Sequence, residues 1–174
     1  ARLHDFKAAL ALQQKVIDAR IRVLGPRHPD TVSIMINHAG TLEQTGQYAA
    51  SLQELQRVLP LAREVLEKGH PQFQMALMVL AQASEGVGDT AGEVGAYREL
   101  LEMRRAQLGE GDAKTIDAAW RLSQALDDMG KSEEAARLHS HYVAPLLAAD
   151  AKTLAPELAK LAEGIRKSGE EDAS

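Results

Sequence analysis

The sequence repeats at an interval of 42 residues. Glycines recur at this spacing, and another position holds histidine twice and aspartate once. The two sets are Gly46, Gly88 and Gly130, and His28, His70 and Asp112. An interval of about 20 to 50 residues is typical of structural repeats that stack on their neighbours. We therefore expect a row of similar units that share a continuous core.

Apolar residues within each unit follow helical spacing. In the first unit Met35, Ala39 and Leu42 lie three and four positions apart, on one face of a helix that we call helix A. A second amphipathic stretch, helix B, follows the glycine and contains Leu55 and Leu59. Aromatic residues make up only 3% of the chain, whereas good helix formers dominate. Each unit is predicted to be a helical hairpin in an all-α fold.

The first unit also carries a spaced motif of a small residue, a glycine, an aromatic residue and a second small residue. These are Ala39, Gly46, Tyr48 and Ser51. The motif resembles the tetratricopeptide repeat (TPR), and the 42-residue interval is similar to the long repeats of kinesin light chains. The third unit has Ser132 in place of the aromatic residue, and the second departs at Thr90 and Glu93. The resemblance implies a right-handed α-solenoid of stacked helical hairpins, a TPR-like superhelix.

The register divides residues 1–174, taken as a single domain, into consecutive parts. These are a leading helix B at 5–24, hairpin repeats at 25–67, 68–109 and 110–149, a capping helix at 153–168 and a tail at 169–174. A capping helix is expected because the last stacked repeat otherwise leaves an apolar face in water. Because the chain begins inside helical sequence, we expect it to be a segment of a longer protein.

The corner sequence LGPRHPDT, residues 24–31, joins two predicted helices. Gly25 is expected to end a helix B, His28 to cap the next helix A, and Pro29 to occupy its first position. Asp112, a preferred capping residue, replaces the histidine in the third unit, which favours a capping role over a chemical one. Pro60 and Pro145 lie inside helix B patterns, where we expect each to kink the helix.

The sequence gives no support for a catalytic or a metal-binding function. There is no cysteine, and His139 and His141 are two positions apart, which directs them to different sides of a helix. His38 occupies an apolar position of helix A, as a satisfied buried or half-buried histidine would. The glycine-rich stretches at 85–89 and 109–112 lack the preceding strand that a phosphate loop needs. We expect no enzyme activity, no metal and no cofactor.

Charge and hydropathy narrow the classes of partner. The net charge is -5, and lysine and arginine are scattered along the chain, which disfavours nucleic acid. No apolar run approaches the roughly 18 residues that a membrane span requires. We therefore expect a cytoplasmic protein whose partners are proteins or peptides.

The TPR resemblance implies that the A helices line a concave groove that binds a peptide. The candidate contact residues are Ile36, Asn37, Glu43, Met78, Gln82, Glu85, Trp120, Arg121, Gln124 and Asp127. An apolar ladder of Ile36, Met78 and Trp120 and an acidic ladder of Glu43, Glu85 and Asp127 predict a ligand with apolar anchors and basic flanks. The helical spacing of Trp120 is compatible with the groove and with the core.

The sequence favours a non-catalytic protein-protein interaction module, part of a larger scaffold or regulatory protein. One alternative is a homo-oligomerising scaffold array that associates through Leu10, Val16 and Ile17 on the leading helix. Another is the sensory or regulatory tail of a signalling kinase or a transcription regulator, with the activity located elsewhere. Repeat architecture alone does not separate these, because recognition depends on a few exposed side chains.

Overall fold

A computed structural model describes residues 2–67 and 69–171, with side chains between residues 6 and 169. The described residues form α-helices and one π-helical turn, and none of them forms a β-strand. The helices are α1 (Arg2–Leu24), α2 (Pro29–Gln44), α3 (Tyr48–Val65), α4 (Pro71–Val87), α5 (Thr90–Leu108), α6 (Ala113–Asp128), α7 (Ser132–Leu138), α8 (Ala144–Ala148) and α9 (Pro156–Glu171), and the π-helical turn is His139–Val143. The predicted all-α class of helical hairpins is confirmed.

The chain divides into two compact units, residues 1–96 and 97–174, with the division inside α5. In the first unit α2 packs against α1, α3 and α4, and α3 also packs against α4. Ile36, Leu55 and Leu77 are fully buried between these helices. The Ser51 hydroxyl donates to the Ala39 carbonyl at 2.8 Å, which ties the two small residues of the motif across the hairpin.

Each helix A begins at the predicted cap. Nδ1 of His28 accepts from the Asp30 N–H at 3.2 Å, and Nδ1 of His70 accepts from the Gln72 N–H at the same distance. In the third unit the Asp112 carboxylate accepts from the Lys114 N–H at 2.8 Å. Pro29 and Pro71 are the first residues of their helices. The capping role predicted for His28 is confirmed, and each cap satisfies a backbone donor that the helix leaves free.

Glycine ends the helices at the corners, as predicted for Gly25. Its φ angle is +85°, in the left-handed region that a side chain disfavours, and its N–H bonds to the Ile21 carbonyl at 3.0 Å. The following corner residues then lead directly to the His28 cap.

The two prolines of the B helices have different surroundings. Pro60 lies within a single continuous helix, α3. Pro145 follows the π-helical turn, in which the Ala144 N–H reaches the His139 carbonyl five residues earlier. The wider turn accommodates a proline that has no N–H to donate. The third helix B is consequently divided into α7, the π-helical turn and α8.

In the second unit α6 packs against α7, the π-helical turn and α9. Leu122, Leu126 and Val143 form its buried centre. Helix α9 also packs against α8, and its residues Ala162 and Ile165 are buried. The helix starts at Pro156 and continues to Glu171, so the predicted bounds of 153–168 are too early at both ends. Residues 172–174 of the predicted tail lie outside the described residues.

Candidate interaction surfaces on the A helices

An acidic pair lies on the A helices of the first unit. Glu43 is half-buried near the end of α2, and Glu85 is exposed near the end of α4. Burial raises the pKa of Glu43, and the negative charge of Glu85 raises it further. Glu43 and Glu85 occupy equivalent positions in successive repeats, and they are close enough for their charges to interact. A cation placed beside them would favour the charged carboxylates and so oppose the rise in the pKa of Glu43.

The prediction that Ile36 faces a ligand is wrong. Its side chain is 0% exposed, because α2 packs against three other helices. Gly40, one turn further on, contributes to this close packing: a Cβ there would lie 3.5 Å from Cε of Met75 and 3.6 Å from Cγ2 of Val79 on α4. Ile36 is therefore a core residue, and Met78 of α4 is the half-buried apolar candidate in this unit.

The polar candidates of the first unit remain partly accessible. Asn37 and Gln82 are half-buried. The Asn37 carbonyl accepts from the Thr41 hydroxyl at 3.0 Å, and the Thr41 oxygen accepts from the Gln13 amide at 3.0 Å. Met78, Gln82 and Glu85 are spaced four and three residues apart, so they share one face of α4.

In the second unit the candidates lie along α6. Trp120, Gln124 and Asp127 are spaced four and three residues apart and share one face. Trp120 is half-buried, whereas Gln124 and Asp127 are exposed. The indole thus packs on the protein with one part and faces solvent with the other. The guanidinium of Arg121 lies 5.6 Å from the centroid of the Trp120 ring, within the range of a cation–π contact.

Arg121 belongs to an ionic cluster that sequence reasoning missed. Its Nε donates to Asp117 at 3.1 Å, and Nη1 of Arg104 lies 3.4 Å from the same carboxyl group. Burial by itself would lower the pKa of Arg121, but the charges and hydrogen bonds of Asp117 and Tyr97 raise it overall. Arg121 is therefore held in place by neighbours and is not a free cation for a ligand.

Arg104 is the buried member of this cluster. Its side chain is 9% exposed, and Nη1 donates to the Lys114 carbonyl at 2.7 Å. Burial lowers its pKa, and Asp117 opposes that shift. The 42-residue register could have indicated that Arg104 is buried, because position 104 corresponds to the buried residues Ala62 and Leu146.

The histidines were considered as metal ligands in the sequence. Within residues 2–67 and 69–171, no three His, Asp or Glu side chains come together as metal ligands. His38 is half-buried, and its Nδ1 has no hydrogen-bond partner among the described residues, so the expectation of a satisfied histidine is only partly met. His141 lies 3.3 Å from the Glu110 carboxylate. None of the described helices combines the length and the apolar character that crossing a bilayer requires.

Comparison with known families assigns the first part of the chain. Residues 1–64 match the family model of the tetratricopeptide repeat. Over these residues the chain is similar to tetratricopeptide repeats. The remaining units of the chain continue the same 42-residue register. No curated protein sequence matches the chain.

Solved structures share the fold over nearly the whole chain. A protein from Podosopora anserina, assigned as a kinesin light chain with nearly identical TPR-like repeats, superposes with a TM-score of 0.76 at 21% identity, over 98% of this chain and 84% of that one. A variant of it gives 0.77 at the same identity and coverage. BtubC (BKLC) from P. vanneervenii gives 0.62 at 14% identity, over 90% of this chain and 62% of that one. The predicted likeness to kinesin-light-chain-type repeats is confirmed.

Proposed function

We propose that this chain is a non-catalytic interaction module that binds a basic, partly apolar peptide or helix of a partner protein on its A helices. TPR repeats are in general protein-protein interaction modules. The observation that carries the proposal is the interacting pair Glu43 and Glu85, in which burial and mutual repulsion raise the pKa of Glu43. Lysine or arginine of a ligand placed beside this pair stabilises the charged carboxylates.

Each unit carries proposed contact residues of its own. In the first unit Met78 supplies an accessible apolar group on the face of α4 that also carries Gln82 and Glu85, and Asn37 adds an amide on α2. In the second unit Trp120, Gln124 and Asp127 share a face of α6. Trp120 is the proposed anchor there, since aromatic residues commonly dominate the energetics of such interfaces. We assign Arg121 the role of orienting Trp120 and Asp117 rather than of pairing with a ligand.

The experiment uses a fluorescein-labelled synthetic peptide in which leucine and lysine alternate, and a twin with glutamate for lysine. We expect the lysine peptide to bind more tightly, and Glu43→Gln combined with Glu85→Gln to weaken it by roughly tenfold, since two charge-assisted contacts are lost. Glu67→Gln removes an exposed acid at the end of the first repeat and serves as the matched control. Equal binding of both peptides, or unchanged binding by the double variant, would contradict the proposal.

Trp120 is tested in the same assay. Trp120→Ala is expected to weaken the lysine peptide, with a cost of about 2 kcal/mol or more. Because Trp120 is the single tryptophan of the chain, its emission also reports ligand contact in the unmodified protein. A folded Trp120→Ala protein with unchanged affinity would remove this residue from the proposed surface.

A further inference from the structure

Gly40 leaves α2 without a side chain on the face that also carries Glu43, one turn further on. The equivalent residues of the next two repeats are Gln82 and Gln124. A Cβ at Gly40 would lie 3.5 Å from Cε of Met75 on α4, which is an ordinary van der Waals contact. The packing of α2 on α4 therefore has room for a methyl group at position 40. What the glycine leaves out is a longer side chain, which would have to share this space with Met75.

Met75 lies on the proposed ligand surface, although the sequence did not single it out. It precedes Met78 by three residues, so the two methionines share one face of α4. The Met75 side chain is half-buried, whereas Val79, whose Cγ2 lies 3.6 Å from the same Cβ position, is 3% exposed. A methionine side chain is unbranched and adapts to what packs on it. Between these two neighbours of Gly40, the thioether is thus the one that a ligand can reach.

The acidic pair lies close to this methionine. Gly40 precedes Glu43 by one turn of α2, which corresponds to a rise of about 4.5 Å along the helix axis. The methyl group of Met75 lies beside Gly40, and Glu85 is close enough to Glu43 for their charges to interact. An aliphatic side chain on Met75 and a lysine beside the carboxylates can therefore come from neighbouring residues of one ligand. Charge complementarity with the acidic pair selects the ligand that brings the aliphatic residue.

Helix packing alone does not account for the glycine. Alanine at position 40 would keep a van der Waals contact with Met75, and it is more stable than glycine inside a helix. The interface also has apolar side chains of its own, since Ile36 and Val79 are buried. A methionine lying over bare backbone, at the margin of this interface, is instead suited to a ligand whose shape it can accommodate.

We propose that the thioether of Met75, lying over Gly40, forms a subsite for an aliphatic side chain of the basic ligand, next to the subsite for its lysine or arginine at Glu43 and Glu85. The inference rests on the proposed function and adds to it a preference for an aliphatic residue beside the basic one. Glutamine at position 40, as in the later repeats, displaces the thioether and abolishes the subsite.

The test compares the labelled leucine–lysine peptide with a twin that has serine in place of leucine and the same charge. In fluorescence anisotropy we expect the leucine peptide to bind roughly tenfold more tightly, because its apolar side chains leave water. Gly40→Gln and Met75→Ala should each reduce this preference at least roughly threefold. Neither should change the affinity for the serine peptide, whose lysines bind the acidic pair.

Matched controls exist for both substitutions. Gly95 is exposed on α5, where a Cβ would meet no atom within 4 Å, and Met103 is a half-buried methionine of the same helix. Gly95→Gln and Met103→Ala should keep the preference for leucine. Gly40→Ala should also keep most of it, because its methyl group only reaches contact distance from Met75. Circular dichroism and the urea midpoint show whether each variant is folded.

The methyl resonances of the five methionines give a second readout, which does not depend on the stability of a variant. With methyl-labelled methionine, and Met75→Leu for the assignment, we expect the leucine peptide to shift the Met75 signal more than the serine peptide does. The signal of Met35, which is buried, should stay in place.

Two results would overturn the inference. These are a preference for leucine that both Gly40→Gln and Met75→Ala leave intact, and a Met75 signal that responds equally to the two peptides. In either case, tighter binding of the serine–lysine peptide than of a serine–glutamate peptide would still support the proposed function. Equal binding of these two serine peptides would remove the proposed function and the subsite together.

Discussion

Arg104 donates from Nη1 to the backbone carbonyl of Lys114 at 2.7 Å and thereby joins the end of one helix B to the first turn of the next helix A. Arg20 makes the same contact with the carbonyl of Asp30 at 2.9 Å, two repeat intervals earlier. At the intervening corner the register places Ala62, which has no side chain able to donate. An arginine at this position therefore stabilises two of the corners, in one case from a buried site and in the other from a half-exposed one.

We expect Arg104→Ala to lower the free energy of unfolding by about 1 to 3 kcal/mol, because the Lys114 carbonyl loses a part-buried hydrogen bond and Asp117 loses one of its two arginine partners. Arg20→Ala is the matched control, and its half-exposed contact should contribute less than about 1 kcal/mol. Urea denaturation followed by circular dichroism measures both. A loss for Arg104→Ala no larger than that for Arg20→Ala would show that the buried cluster adds no stability.

Glu43 makes the stability of the chain depend on pH. Its pKa in the folded state is raised above the ordinary 4.5, so the folded state holds the proton more tightly than the unfolded state. The stabilisation linked to this proton is complete below the unfolded pKa and is lost as pH rises through the folded pKa. Glu43→Gln should therefore be more stable than the parent protein at neutral pH, by less than about 1 kcal/mol because solvent screens the half-exposed pair.

The difference between Glu43→Gln and the parent should shrink when the urea titration is repeated below the ordinary pKa of 4.5. Glu67→Gln, at an exposed acid, is the matched control for the loss of one carboxylate. If the gain of Glu43→Gln stayed constant or grew toward acid pH, burial of the charged carboxylate and repulsion from Glu85 would not be its cause.

Removal of the Asp112 cap should lower the free energy of unfolding, whereas its replacement by the isosteric amide should largely preserve it. Asp112→Ala removes the acceptor of the Lys114 N–H and should cost about 1 kcal/mol of unfolding free energy. Asp112→Asn keeps an acceptor oxygen and should lose only a small part of this. Thermal denaturation of the three proteins compares them directly, and equal losses for Ala and Asn would argue that charge, rather than capping, is what Asp112 contributes.

The sequence was informative where one residue determines local geometry. His28, Asp112 and Gly25 were placed correctly, because caps and left-handed corners depend on the residue itself and its immediate neighbours. The division of the third helix B was not foreseen. Pro145 predicted a disturbance, but a proline pattern does not distinguish a kink from a π-helical turn.

The candidate site was only partly predictable, because exposure depends on how closely neighbouring helices approach. Ile36 and Met78 occupy equivalent positions, yet Ile36 is buried and Met78 is half-buried. The difference arises from α2, which is enclosed by three helices. The sequence did not reveal Arg104 as a buried residue. Helical periodicity identifies apolar residues, and at position 104 a charged residue stands where the equivalent positions hold Ala62 and Leu146.

Gly86 and Gly95 should respond oppositely to alanine. A Cβ on Gly86 of α4 would overlap the Tyr48 ring, which packs directly against the glycine, whereas a Cβ on Gly95 of α5 would meet no atom within 4 Å. Neither glycine has a positive φ angle, so backbone strain does not enter the comparison. Gly86→Ala should therefore destabilise the chain by about 1 to 3 kcal/mol through overpacking. Gly95→Ala should stabilise it by about 0.5 to 1 kcal/mol through the better helix propensity of alanine. Urea midpoints of the two variants test this, and a stabilising Gly86→Ala would mean that the Tyr48 ring moves aside without loss of packing.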